Sequence, residues 1–219
     1  KQLAEEKLVN EQQRSMVVAA QMAALRAQVN PHFLFNSLNT IGVTALVGDS
    51  KMVMQMVEAT GKILRYSLYH QELMTNLDDE LDVVLQYLFL QKCRFGEAVR
   101  SEIQNDFEGE EIEIPTMSIQ PIVENCFKHG FGNKEKLNIH ITITQEDNSI
   151  LISVMDDGIG FDTEQKKPGG IGLENIRKRL ELLYGKEESW LQVESVVGEY
   201  TCVSLKLPQK GETDEGSHC

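Results

Sequence analysis

Two kinds of apolar spacing divide this chain, and the change between them near Leu77 restricts what it can fold into. Ala20, Ala24, Ala27, Pro31, Leu34, Leu38, Ile41 and Ala45 recur by fours and threes, the spacing of a helix packed along a seam. Gly48-Asp49-Ser50 interrupts the pattern and offers a cap. Met52, Met56, Ala59, Ile63 and Tyr66 then repeat it, with Val53, Val57 and Leu64 as a second row. So wide an apolar face exceeds what a two-helix hairpin can bury, and pairing of two hairpins into a dimeric four-helix bundle would cover it.

After Leu77 the character changes. Asp78-Asp79-Glu80 places acid at a helix start, which suits the helix dipole, and that helix is expected to run to about Phe95. Farther on, Ile139, Ile141 and Ile143 alternate with polar residues, as do Val203, Leu205 and Leu207, which marks strands with one buried face. Asp147-Asn148 reads as the turn between strands at 139–145 and 150–155. Helices are expected from Thr116 to about His129 and from Leu173 to Tyr184. The fold class is therefore α+β, a helical hairpin followed by a sheet with helices over one side. The expected division is 1–74 helical, 75–208 sandwich, and 209–219 a disordered polar tail.

A formal net charge of −13 over 219 residues argues against nonspecific nucleic-acid binding, which needs a cationic surface. Cys93, Cys126, Cys202 and Cys219 form no CxxC pair and no zinc-ligand spacing, so reduced thiols in the cytosol are expected. No stretch reaches the roughly 18 apolar residues of a membrane span, and no signal peptide is visible. The chain opens inside a helical pattern without a start methionine, as a cytoplasmic piece of something longer would.

Chemistry concentrates in two places. The first is Asn30-Pro31-His32-Phe33-Leu34-Phe35-Asn36. On a helical wheel centred on Leu34, the seam residues Leu38, Ile41 and Ala27 lie within about 40°, whereas His32, Asn36 and Asn39 fall on the opposite side. His32 should thus point outward, within reach of a visiting active site. Pro31 removes a backbone donor just before it.

The second place is spread over four segments, and none of them is a phosphate-binding GxxxxGK[ST] loop. In Gln120-Pro-Ile-Val-Glu-Asn-Cys-Phe-Lys-His-Gly130, helical spacing sets Asn125, Lys128 and His129 on one side. An amide oxygen suits Mg²⁺, and the two basic side chains suit phosphate oxygens. In Asp156-Asp157-Gly158-Ile159-Gly160-Phe161, a strand ends in a carboxylate able to accept from an adenine amine, and the glycines allow close backbone approach. Gly169-Gly170-Ile171-Gly172-Leu173 opens a helix whose amides could meet phosphates. Between them, Asp162 to Pro168 reads as a short lid.

These motifs together resemble a sensor histidine kinase of the LytS/YesM type, whose ATP-binding half belongs to the superfamily shared with gyrase, Hsp90 and MutL. The resemblance covers nearly the whole chain. NPHFLFN resembles the phosphoacceptor box, which implies His32 as the phosphorylated residue, with Asn36 orienting its ring. QPIVENCFKHG resembles the N box, implying Asn125 as the Mg²⁺ ligand with Lys128 and His129 toward phosphates. DDGIGF resembles the G1 box, implying Asp156 as the adenine contact beside Gly158 and Gly160. GGIGLENIRKRL resembles the G2 box, implying Gly170, Gly172 and Leu173 at the nucleotide with Asn175 nearby. Gly198 and Thr201 fall where a last strand closes the adenine pocket.

Two positions depart from the family pattern. Tyr200 stands where a glycine is commoner, and Phe33 follows His32 where commoner histidine kinases carry a carboxylate. The resemblance implies ATP and Mg²⁺ as cofactors and a homodimer. It further implies a response-regulator receiver domain as partner, and contact with the membrane only through an N-terminal sensor region absent from this stretch. Two other readings stay open: an ATP-binding regulatory module without kinase activity, and an ATPase of the same superfamily. The hydrolytic members use a glutamate one helical turn before the asparagine, and here that position is Pro121, which favours transfer to a side chain.

Overall fold

A computed structural model describes residues 31–69, 72–107, 111–132, 134–163, 171–185 and 188–209. The expected seam residues Ala20, Ala24 and Ala27, the Gly169-Gly170 pair, most of the expected lid and the tail from residue 210 lie outside the described residues.

Two helices come first, α1 (Pro31–Leu46) and α2 (Ser50–Tyr69). The Asp49 carboxylate accepts from the Met52 amide at 2.9 Å and starts α2 as expected of a capping residue. Met56, Ala59 and Ile63 are buried along one face of α2, and Met52 and Tyr66 are half-buried on the same stripe. On α1 the buried stripe is shifted from the expected one. Phe33 and Ser37 are buried and Ile41 half-buried, whereas Leu38 is 53% exposed and Ala45 is also exposed. The reason is long-range: the Phe33 ring packs on Tyr87 with centroids 4.8 Å apart, and an aromatic pair holds more contact area than a leucine.

The third helix, α3 (Leu77–Phe95), begins where Asn76 accepts from the Asp78 amide at 2.9 Å and ends at Gly96, φ +60°, whose amide bonds Lys92. Its buried residues form one broad face, which packs against both the hairpin and the sheet layer, while Asp78, Asp79, Leu85 and Lys92 stay exposed. Two short strands, β1 (Met74–Asn76) and β3 (Glu113–Pro115), pair antiparallel beside it.

The main sheet has the order β2-β4-β5-β7-β6, with β2 (Val99–Asn105), β4 (Leu137–Glu146), β5 (Ser149–Asp156), β6 (Trp190–Val196) and β7 (Tyr200–Pro208). Strands β2 and β4 are parallel, and the other pairs are antiparallel. The alternating residues become its inner face: Ile141 pairs with Val154, and Val154 with Val203, all buried. Asp147, at φ +54°, turns the chain between β4 and β5, as its position predicts.

Helices α4 (Gln120–His129) and α5 (Ile171–Tyr184) cover that face through Ile122, Val123, Leu173, Ile176 and Leu180. Each such side chain contributes about 1.5–3 kcal/mol by leaving water. Helix α4 starts at Gln120, four residues after the expected Thr116. The intervening segment cannot be helical, because Met117 has φ +61° and the Thr116 carbonyl accepts from Arg179 of α5. Among the described residues, no helix is long and apolar enough to cross a membrane.

Candidate functional site

Asp156 is the last residue of β5, and strand register sets Ile139 on one side of it and Thr201 on the other. Its carboxylate is buried and accepts from the Gly158 amide at 3.0 Å. Burial holds its pKa above the usual carboxylate value, against the opposing effects of the Gly158 amide, the Cys126 thiol and Lys134. A buried carboxylate with unused acceptor capacity gains from a donor brought to it by a ligand.

The turn that follows is tightly bound. The Ile159 amide bonds the Gly130 carbonyl at 2.9 Å, and the Gly198 amide bonds the Ile159 carbonyl at 2.6 Å. A side chain at Gly158 would collide with Asp156 and the Gly130 backbone. One at Gly160, φ +55°, would meet the carbonyls of Val196 and Tyr200. Both glycines are therefore required by close backbone approach.

These elements border a cavity of about 400 Å³. Asn125, Lys128 and His129, from the last two turns of α4, form its polar end. Asp156 and Thr201 face it, and Ile122, Ile159, Leu173, Val193 and Val203 make the apolar walls. Such walls, with an acceptor at Asp156 and the basic Lys128 and His129 at another part of the lining, suit a flat heterocycle that carries an amine and an anionic tail. The Asn125 amide oxygen is the kind of hard ligand Mg²⁺ accepts, and Mg²⁺ commonly takes few protein ligands alongside phosphates. No group of three or more His, Cys, Asp or Glu residues suited to a metal exists among the described residues.

Of the expected site residues, Asn125, Lys128, His129, Asp156, Gly160, Leu173 and Thr201 thus converge on one cavity. Gly158 supports it from behind, Gly172 lies against Pro121 at the start of α5, and Gly170 is outside the described residues. His32 and Asn36 do not border it. They lie together on α1, with the Asn36 amide nitrogen 3.3 Å from each imidazole nitrogen and His32 exposed, as the wheel predicts.

Several contributors carry no short-motif signal. The Ser195 hydroxyl donates to the Tyr200 carbonyl at 2.9 Å, accepts from the Phe161 amide at 2.9 Å and lies 3.0 Å from the Thr201 hydroxyl. It holds the strand end beside Asp156, and its contact at position 200 is to the backbone carbonyl rather than to the tyrosine side chain. Asp157 accepts from the Asn138 amide at 2.7 Å, and Lys134 donates to the Asp157 carbonyl. Cys126 lines the cavity next to Asp156, its thiol pushed well above the usual value by burial.

A histidine kinase family model matches residues 20–99. A second model, for histidine kinase-, DNA gyrase B- and HSP90-like ATPases, matches residues 110–211 and so includes every cavity residue named above. This chain belongs to the histidine kinase family. Similar proteins include the sensor histidine kinase YesM of Bacillus subtilis, 30% identical over 93% of this chain and 36% of YesM. Sensor protein LytS of the same species is 32% identical over 95% of this chain and 37% of LytS. The chain spans little more than a third of the length of these curated relatives. The catalytic domain of histidine kinase ThkA has the same fold, with a TM-score of 0.50 at 18% identity over 62% of this chain and 94% of that one. The histidine kinase assignment agrees with the α+β architecture of helices followed by a sheet.

Proposed function

We propose that this protein phosphorylates its own His32 from ATP and passes the phosphoryl group to an aspartate on a response-regulator receiver domain. The observation that carries the proposal is the convergence of Asn125, Lys128, His129, Asp156 and Thr201 on one cavity, in a chain that also exposes His32 beside Asn36. Residues 1–74 form the dimerisation and phosphoacceptor unit, residues 75–208 the ATP-binding unit, and 209–219 a tail. A second copy completes the bundle, and an N-terminal sensor region places the assembly at the cytoplasmic side of the membrane.

The chemistry follows from the residues. Asp156 accepts the adenine amine, which selects against guanine, whose carbonyl at that position offers no donor. Gly160 lets the backbone approach the base, and Leu173, Val193 and Val203 exclude water from its faces. Lys128 and His129 neutralise phosphate charge, and Asn125 would hold Mg²⁺, which supplies further charge neutralisation to the phosphates. With the catalytic unit docked on α1, a lone pair on a His32 ring nitrogen attacks the γ-phosphorus in line. The bond from that phosphorus to the bridging oxygen breaks and ADP leaves. The proton on the other ring nitrogen is released to solvent, which reaches His32 freely. Asn36 orients the ring but is too weakly basic to take a proton. Positioning and charge neutralisation thus supply most of the catalysis.

Pro121 has no carboxylate to activate water, which favours transfer over hydrolysis. The test is incubation with Mg²⁺ and γ-labelled ATP, comparing wild type with His32→Gln. Acid-labile, base-stable label on wild type alone supports the proposal. Nucleotide binding without label on either protein would instead identify an ATP-binding regulatory module.

A further inference from the structure

Glu80 is fully buried in the first turns of α3, and four donors converge on its carboxylate. One oxygen accepts from the amides of Ile119 at 3.0 Å and Gln120 at 3.4 Å. The other accepts from the Met117 amide at 2.9 Å and from the Tyr66 hydroxyl. These three amides are the approach to and first residue of α4, the helix that carries Asn125, Lys128 and His129. The residue at the N-cap, Ile119, has no side-chain acceptor of its own. A charge from α3 therefore does what a cap usually does locally, and it sits at the positive end of the helix dipole. Because α4 is a hydrogen-bonded rod, anchoring its start also sets where Asn125 lies one and a half turns later.

The fourth donor comes from elsewhere. Tyr66 lies in the last turns of α2, in the same hairpin as His32. Burial, reinforced by the neighbouring Glu80 charge, pushes its phenol well above the usual value, so it remains a donor. The same segment is tied on its other side. The Thr116 amide and hydroxyl bond the carbonyls of Leu73 and Glu72, in the connection from α2 to β1.

We propose that Glu80 is a positioning residue for the phosphate end of the nucleotide site, and that the Tyr66 hydroxyl makes the position of the hairpin part of that setting. The inference rests on the nucleotide reading given above, and it adds a route by which the phosphoacceptor hairpin and the Asn125 helix constrain each other. Such coupling is reciprocal, so a change that frees Tyr66 must alter affinity at the phosphate end.

The test uses two ligands on the whole chain. Mg·ADP engages both ends of the pocket, and adenosine engages only the Asp156 end. Affinities are measured by calorimetry for Mg·ADP and by chemical-shift titration for adenosine. Glu80→Gln should weaken Mg·ADP about tenfold, the scale of a lost charged hydrogen bond, and leave adenosine within about twofold. Tyr66→Phe keeps the ring and should weaken Mg·ADP about threefold with adenosine unchanged. Equal losses for both ligands would overturn the proposal by showing general damage, and no loss for either would overturn it by showing an inert contact. Should Glu80→Gln fail to fold, Tyr66→Phe decides alone. The assay reads binding and not label on His32, so it stays decisive even for a chain that transfers no phosphate. A wild-type chain that binds neither ligand overturns the nucleotide reading, and this proposal with it, before any substitution is made.

Discussion

The nucleotide cavity and the helical hairpin are finished to different degrees. Around the cavity the groups that shape it already have partners in the same chain: Asp156 with Gly158, Ser195 with Tyr200 and Phe161, Ile159 with Gly130. The hairpin instead leaves Phe35, Leu38, Val43 and Leu46 open, with Leu46 89% exposed. Scattered single apolar residues are ordinary on a surface, but a run of them along one short helix marks a face made for another surface. In the proposed function, one region is a site a single chain builds, and the other is half of a structure that a second copy would complete. In the proposed reading, chemistry occurs where the finished region meets the unfinished one, at His32.

Substitutions that strike one region and spare the other put that contrast at risk. The largest effect belongs to His32→Gln, which should abolish acid-labile label, a loss of about a thousandfold or more, while Mg·ADP binding by calorimetry changes less than about twofold. Next, Asn125→Ala should weaken Mg·ADP by about ten- to a hundredfold but leave metal-free adenosine nearly untouched, because only the phosphate end loses its ligand.

Asp156→Asn follows. Adenosine affinity should fall about tenfold, yet the melting temperature should hold or rise, because a buried charge is removed. The sign follows from linkage. A folded-state pKa raised above the unfolded value means that protonation of Asp156 favours the fold. Its contribution is present at low pH and is lost as pH rises through the raised value. Adenine binding has the opposite dependence, since only the ionised carboxylate offers both oxygens as acceptors, so affinity should weaken on acidification through that same value. A titration in which affinity and stability both fall with acid would contradict the role given to Asp156.

The smallest of these effects concerns the open face. Val43→Glu should weaken self-association by about three- to fivefold in sedimentation equilibrium, since pairing would bury the new charge, with Mg·ADP affinity unchanged. Unaltered association would mean that α1 is not the face on which a second copy sits.

The same contrast governs what the sequence discloses. The strands at Ile139–Ile143 and Val203–Leu207 were legible because a sheet with one covered face forces a period of two on every residue. The cavity was legible because close backbone approach permits only glycine at 158 and 160, and because α4 must present Asn125, Lys128 and His129 on one side. What escaped local reading depends on distant partners. Helix α4 begins at Gln120 because a glutamate nearly forty positions earlier holds the preceding amides. The buried stripe of α1 runs through Phe33 because Tyr87 waits for it on α3. The parallel pairing of β2 with β4 and the hydrogen bonds of Ser195 likewise have no neighbour in sequence to announce them.

Transfer to His32 is tested most simply by mapping the phosphoryl group itself. After incubation with Mg·ATP at neutral pH, the chain is digested under mildly alkaline conditions and its peptides are sequenced by mass spectrometry. Phosphate is expected on His32 alone. Phosphate on another residue, or none on a chain shown to bind Mg·ATP as a dimer, would contradict the proposed transfer.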